Sequence, residues 1–126
     1  MRSTIYPTLE EALYLHEKLL EVFGGLPGVR DKGLLESALA RPRSGYYNSL
    51  SEQAAALLHS LVHNHAFIDG NKRVAFSLTA VFLLVNGFHL KVTADVGEEF
   101  LIETVIKSRC ELSTITEWIE RHIASK

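Results

Sequence analysis

The chain is short of several residue types, and each shortage excludes a class of protein. A single cysteine, Cys110, cannot form an internal disulfide and fits a reducing compartment. Three prolines and eight glycines in 126 residues are too few for a fibrous or low-complexity chain. No apolar run reaches the ~20 residues that a membrane span requires; the most apolar stretch, residues 74–85, falls well short. Residues 1–7 lack the apolar core of a signal peptide, so a cytoplasmic, soluble protein without membrane contact is expected. Positive charge is also scarce: the formal net charge is -2, so no broad basic surface marks a nucleic-acid binder. A polyanionic ligand would have to meet a local field. What remains is ordinary for a folded domain, 47% hydrophobic and 22% charged, and long enough for one core over residues 1–126 but not for two.

The hydrophobic pattern is helical almost throughout. Thr8 and Glu11 form a capping box ahead of Leu9, Leu13, Leu19, Leu20 and Phe23 at helical spacing, and Gly24-Gly25 ends that helix. Asp31 is placed to cap a second helix from residue 32 to about 41, stopped by Pro42. After an irregular loop carrying Tyr46 and Tyr47, Ser51 is the expected cap of a third helix from 52 to about 64. A fourth runs from Asn71 to about 86, with Gly87 as its stop. Its middle is apolar almost all round, which predicts the buried centre of a bundle. Residues 88–92 alternate like a short extended segment. Asp95 is expected to start a fifth helix to about 108, and Thr114 with Glu117 to cap a last one carrying Trp118, Ile119 and Ile123. The fold class implied is all-α, a bundle of about six helices around a central buried helix.

The chemistry concentrates between His65 and Arg73. Lys72 and Arg73 fall in the first turn of the fourth helix, where unpaired backbone N–H groups already gather positive charge and cations are normally disfavoured. Such a breach of a local rule points to function. An anion at Gly70, Asn71, Lys72 and Arg73 would receive backbone N–H bonds, with Gly70 permitting close approach. Lys72 adds a point charge and Arg73 a two-pronged grip on phosphate. Asp69 is a hard oxygen ligand suited to Mg²⁺ bridging two phosphates. His65 is placed to take a proton from an attacking hydroxyl. Any one of these residues alone would read as a solvated loop-to-helix junction; their crowding into nine positions reverses that weighting.

Other candidates are weaker. His59 and His63 stand one helical turn apart, but Ser60 occupies the position where a zinc protease motif needs Glu, and no cysteine or acidic cluster completes a tetrahedral site. Arg41, Arg43, Tyr46 and Tyr47 mix cations with aromatics, yet the patch is too short to argue RNA contact over a surface loop. Cys110 has no His or Asp companion to activate it.

The segment His65-Ala66-Phe67-Ile68-Asp69-Gly70-Asn71-Lys72-Arg73 closely resembles the signature of the Fic/Doc family, in particular its Doc (death on curing) branch. That signature is His, any residue, Phe, any residue, Asp or Glu, Gly, Asn, Gly or Lys, then Arg, and every specified position is met. Residues 24–28 and the following Asp31-Lys32-Gly33-Leu34-Leu35-Glu36-Ser37-Ala38 also look like the Doc N-terminal region. The resemblance implies a compact Fic/Doc fold with His65 as base, Asp69 on Mg²⁺, and Gly70, Asn71, Lys72 and Arg73 cradling the phosphates of ATP. Fic members transfer AMP to a protein hydroxyl. Doc members, with Lys where Fic has Gly, are understood to pass on the γ-phosphoryl group as protein kinases of the translation machinery, with an elongation factor Tu-like target. They are toxins paired with a small Phd-like antitoxin. The sequence departs from the Fic pattern at Phe76, where AMP-transferring members carry a second Arg, and Ser113 with Glu117 is followed by Trp118 rather than completing an internal inhibitor. AMP transfer and a non-catalytic, partner-binding role stand as the alternatives.

Overall fold

The computed structural model describes residues 3–126; Met1 and Arg2, part of the stretch read above for a signal peptide, lie outside it. Helix α1 (Leu9–Phe23) opens with the expected box: the Thr8 hydroxyl accepts from the Glu11 N–H at 3.1 Å and the Glu11 carboxylate from the Thr8 N–H at 2.9 Å. Helix α2 (Lys32–Ala40) is capped by Asp31, which accepts from the Leu34 N–H, and runs into a 3₁₀ turn (Arg41–Arg43) around Pro42. Helix α3 is Leu50–His63, helix α4 is Asn71–Val85, and strand β1 is Phe88–Leu90. Helix α5 (Ala94–Glu99) continues directly into π-helical winding over Phe100–Lys107. Helix α6 (Leu112–His122) hands over to strand β2 (Ile123–Ser125), which pairs antiparallel with β1, Phe88 opposite Ser125.

Three expected helix starts are corrected by one or a few residues. Ser49, with extended backbone, caps α3 through the Glu52 N–H, while Ser51 is buried inside the first turn. Thr93 caps α5, leaving Asp95 in the first turn where a carboxylate suits the helix dipole. Helix α6 starts after Glu111 with no side-chain cap rather than at Thr114. Ile123 leaves the helix because its backbone pairs with Leu90.

The buried apolar residues form one cluster, and its centre is shared by two helices. Helix α3 packs against α4 on one side and α6 on the other, its Ala54, Ala55 and Ala56 allowing close approach. Helix α4 buries Val74, Ala75, Leu78, Phe82 and Leu83 but leaves Val81, Leu84 and Val85 exposed, so its apolar circumference overstates its burial. Phe100 and Trp118 stack at 4.1 Å, tying the π-helical segment to α6. The motif therefore sits between the two central helices, at the end of α3 and the start of α4. No helix among the described residues is long and apolar enough to cross a membrane.

Candidate functional site

The loop joining α3 to α4 is held from α1, from the loop before α2 and from the start of α4. His65 adopts a left-handed backbone conformation, φ 50°, in which non-glycine residues are uncommon. Its carbonyl accepts from Arg30 Nε at 2.6 Å, and the Asn64 carbonyl accepts from the same guanidinium at 3.0 Å. The Ala66 carbonyl takes the N–H groups of Arg30 and Asp31, and the Ile68 N–H donates to the Gly28 carbonyl, so the motif is laced to the loop that precedes α2. Phe67 is buried and stacks on the His16 ring at 3.9 Å. His16 in turn donates from Nε2 to the Asp69 carbonyl at 2.8 Å; a carbonyl only accepts, which assigns the proton to that nitrogen.

Asn71 locks the turn itself. Its Oδ1 accepts from the Phe67 N–H at 3.0 Å and its Nδ2 donates to the Phe67 carbonyl at 2.9 Å. The Asn71 side chain is thereby committed to the loop, which leaves its backbone N–H, not its amide, for an anion at the helix start. Gly70 precedes α4 with φ 82°, the left-handed conformation that glycine adopts without strain.

Asp69 is exposed but not free to wander. Its Oδ2 accepts from the Leu26 N–H at 3.0 Å and its Oδ1 from the Gly70 N–H at 2.9 Å. Those two bonds, with Leu26 the larger influence and the nearby Arg73 a lesser one, hold its pKa below the ordinary carboxylate range, so Asp69 stays ionised. The contact explains Gly25: at φ 119°, a Cβ there would lie 2.8 Å from Asp69 Oδ2.

These groups share a cavity of about 600 Å³, a size typical of small-molecule sites. His65, Asp69, Gly70, Asn71, Lys72 and Arg73 all line it, so the structure brings together all six residues singled out from the sequence. Lys72 and Arg73 are exposed in the first turn of α4. Phe76 and Ser77 continue the floor, and Asp95 and Glu98 from α5 form an acidic wall. A second cavity, of about 520 Å³ between α1 and α4, is mainly apolar, with Glu10 and Glu11 among its lining, and includes none of the motif residues.

As to a metal, no three His, Cys, Asp or Glu side chains stand together as ligands among the described residues. Mg²⁺ typically needs only one or two carboxylates beside phosphate oxygens and water. A pinned, ionised and exposed Asp69 fits that ion when it arrives with a phosphorylated ligand.

Two supports of the site, His16 and Arg30, lie outside the motif. His16 had a signal, since it falls on the same stripe as Ala12 and Leu20 of α1; Arg30 had none. Arg41 and Tyr47 are not an open recognition surface: Arg41 donates to the Tyr47 hydroxyl at 2.8 Å, to His59 Nδ1 at 3.0 Å and to the Ser60 hydroxyl at 2.9 Å. Because a guanidinium only donates, His59 Nδ1 must accept, and His59 is neutral there. The His59 and His63 rings lie 4.5 Å apart.

The Fic/DOC family model matches residues 6–83, which span α1 to most of α4 and contain the whole motif loop. The chain belongs to the Fic/DOC family. Within it, the chain is 44% identical over 99 residues to "Toxin Doc" of Mycolicibacterium smegmatis, an alignment covering 74% of this chain and 76% of that protein. It is 37% identical over 82 residues to "Protein kinase doc" of Escherichia phage P1, covering 62% of this chain and 65% of that one. The likeness is thus to Doc-type toxins. The acidic wall of α5 lies beyond the part of the chain that the Fic/DOC model matches.

Proposed function

We propose that this Doc-type chain is a cytoplasmic toxin that transfers the γ-phosphoryl group of ATP to a Ser or Thr hydroxyl of a translation factor resembling elongation factor Tu, and that a small Phd-like antitoxin silences it. The observation that carries the reading is Lys72. It stands where AMP-transferring members have Gly, and it lines the cavity at the start of α4. A nucleotide meeting that side chain is expected to present its terminal phosphate rather than its α-phosphate to the base. Phe76 supports the same choice: an aromatic ring replaces the second Arg of the AMP-transferring pattern, and it packs so tightly on α5 that a Cβ on Gly97 would have no room. The phage relative bears the name protein kinase.

In this reading His65 accepts the proton of the target hydroxyl. The hydroxyl oxygen bonds to the γ phosphorus, while the bond from that phosphorus to the β–γ bridging oxygen breaks and ADP leaves with the electron pair. Lys72, Arg73 and the backbone N–H groups at the start of α4 hold the phosphates and offset the spreading negative charge. Asp69 would hold Mg²⁺, which when bound neutralises phosphate charge. The Leu26 and Gly70 N–H bonds keep that carboxylate ionised and aimed.

The test is transfer from ATP labelled separately at the α and γ positions, with purified chain, Mg²⁺ and a bacterial translation extract. Label on a protein band from the γ position alone, abolished by His65→Ala, is the expected result. Label from the α position alone would overturn the reading in favour of AMP transfer. Toxicity that persists in His65→Ala and Lys72→Ala, with no label from either position, would assign a non-catalytic role.

A further inference from the structure

Arg73 has an unusual neighbour. Its guanidinium carbon stands 4.6 Å from the centroid of the Phe23 ring, within the range of an attractive cation–π contact. Phe23 is the last residue of α1 and lines the same cavity, yet 58% of it is exposed. Phe23 lies outside the buried apolar cluster, and at the cavity its ring face meets the Arg73 guanidinium. The two ion pairs among the described residues, Lys18 with Glu21 and Lys107 with Glu103, do not include Arg73.

The distinction between a ring and a carboxylate as the partner of Arg73 is chemical. A carboxylate would steady the guanidinium but cancel its charge and occupy its N–H fork, the groups that grip phosphate in two-point fashion. An aromatic face attracts the cation through its quadrupole and supplies no counter-charge. It also offsets the unfavourable placement of a cation in the first turn of α4.

We infer that Phe23 is a positioning residue for Arg73, holding the guanidinium toward a phosphate-bearing ligand of the cavity with its charge intact. The inference rests on reading the cavity as a phosphate site, and it adds a residue from α1 to the motif on α4. Phe23 acts through Arg73 rather than on the ligand.

The experiment is a double-mutant cycle read by calorimetric titration of the full chain with inorganic tripolyphosphate at low salt. Phe23→Leu, which keeps apolar bulk and removes the ring, is expected to weaken binding about threefold, the scale of an exposed cation–π contact. Phe23→Trp should restore binding to at least the wild-type level. In an Arg73→Ala background, Phe23→Leu should cause no further loss. Equal losses in both backgrounds, an unaffected Phe23→Leu, or no tripolyphosphate binding by the wild-type chain would each overturn the inference. So would a Phe23→Leu defect seen with ATP but not with tripolyphosphate, since the ring would then be contacting the base or ribose. Because the readout is anion binding, absent γ-label transfer with an intact cycle would sink the kinase reading alone. Intact transfer with an additive cycle would sink this inference alone.

Discussion

The side chain of Asn71 closes a ring on the backbone of Phe67, accepting from its N–H at 3.0 Å and donating to its carbonyl at 2.9 Å. Phe67 is buried, so neither backbone group has water as a ready substitute when the amide is lost.

Asn71→Ala removes both bonds and is expected to destabilise the chain by about 2 kcal/mol, at ~1 kcal/mol for each bond. Asn71→Asp keeps the acceptor and should cost less stability, but it adds negative charge at the start of α4 and should weaken tripolyphosphate binding more. Urea unfolding checks the first claim through the midpoint at unchanged slope. A midpoint for Asn71→Ala within error of the wild type would refute the structural role given to Asn71.

Acid sensitivity is expected from His59 and His63. Burial is the main cause that lowers the pKa of each below 6.5, helped by His63 and Arg41 around His59, and by His65 and Arg109 around His63. A base whose folded pKa is lowered binds fewer protons in the native state than in the unfolded one. Stability should therefore be level above pH ~7 and fall as pH drops through about 6.5 toward the lower folded values. The doubly substituted His59→Asn, His63→Asn chain keeps an acceptor for Arg41 and does not titrate at these positions. Its melting temperature, followed from pH 8 to pH 5, should vary less with pH than that of the wild type; parallel curves would rule out this pair as the cause.

The acidic wall makes a third prediction. Asp95 and Glu98 line the same cavity as Lys72 and Arg73. Their charges repel a polyanion, so Asp95→Asn with Glu98→Gln should tighten tripolyphosphate binding a few-fold at low salt, with the gain shrinking as salt screens it. Unchanged affinity at low ionic strength would mean that α5 contributes no field to the cradle.

How far the sequence could be read depended on how far apart the partners lie. All six candidate residues between His65 and Arg73 meet in one cavity because they fall within nine positions of a single helix–loop–helix turn, where spacing alone settles proximity. Arg30 was not legible at all and His16 only as a residue on the inward stripe of α1, since their partners lie 35 and 53 residues away and a hydrogen bond of that kind leaves no periodic trace. The helices were legible as helices, their first residues less so. For α3 the better signal lay with Ser49, which has Glu52 three residues on where Ser51 has Ala54, and Ser51 falls buried inside the first turn. The apolar run of α4 foretold a fully enclosed helix; exposure of Val81, Leu84 and Val85 shows that apolar residues alone do not require burial.

The lacing of Ala66 and Ile68 to residues 28–31 also bears on what mutation can do to this chain. Surface loops ordinarily absorb insertions and deletions freely. Here the stretch from Gly24 to Asp31 carries a fixed register: Leu26 must reach Asp69, Gly28 must reach Ile68, and Arg30 must reach Ala66, two residues apart each time. One residue more or fewer would slide every contact off its partner at once. Side chains of this loop that touch neither the motif nor α2 are therefore expected to tolerate substitution, unlike Gly25, Gly28, Arg30 and Asp31, while its length stays constant, and variation in length should collect instead in the Tyr46 loop that follows α2.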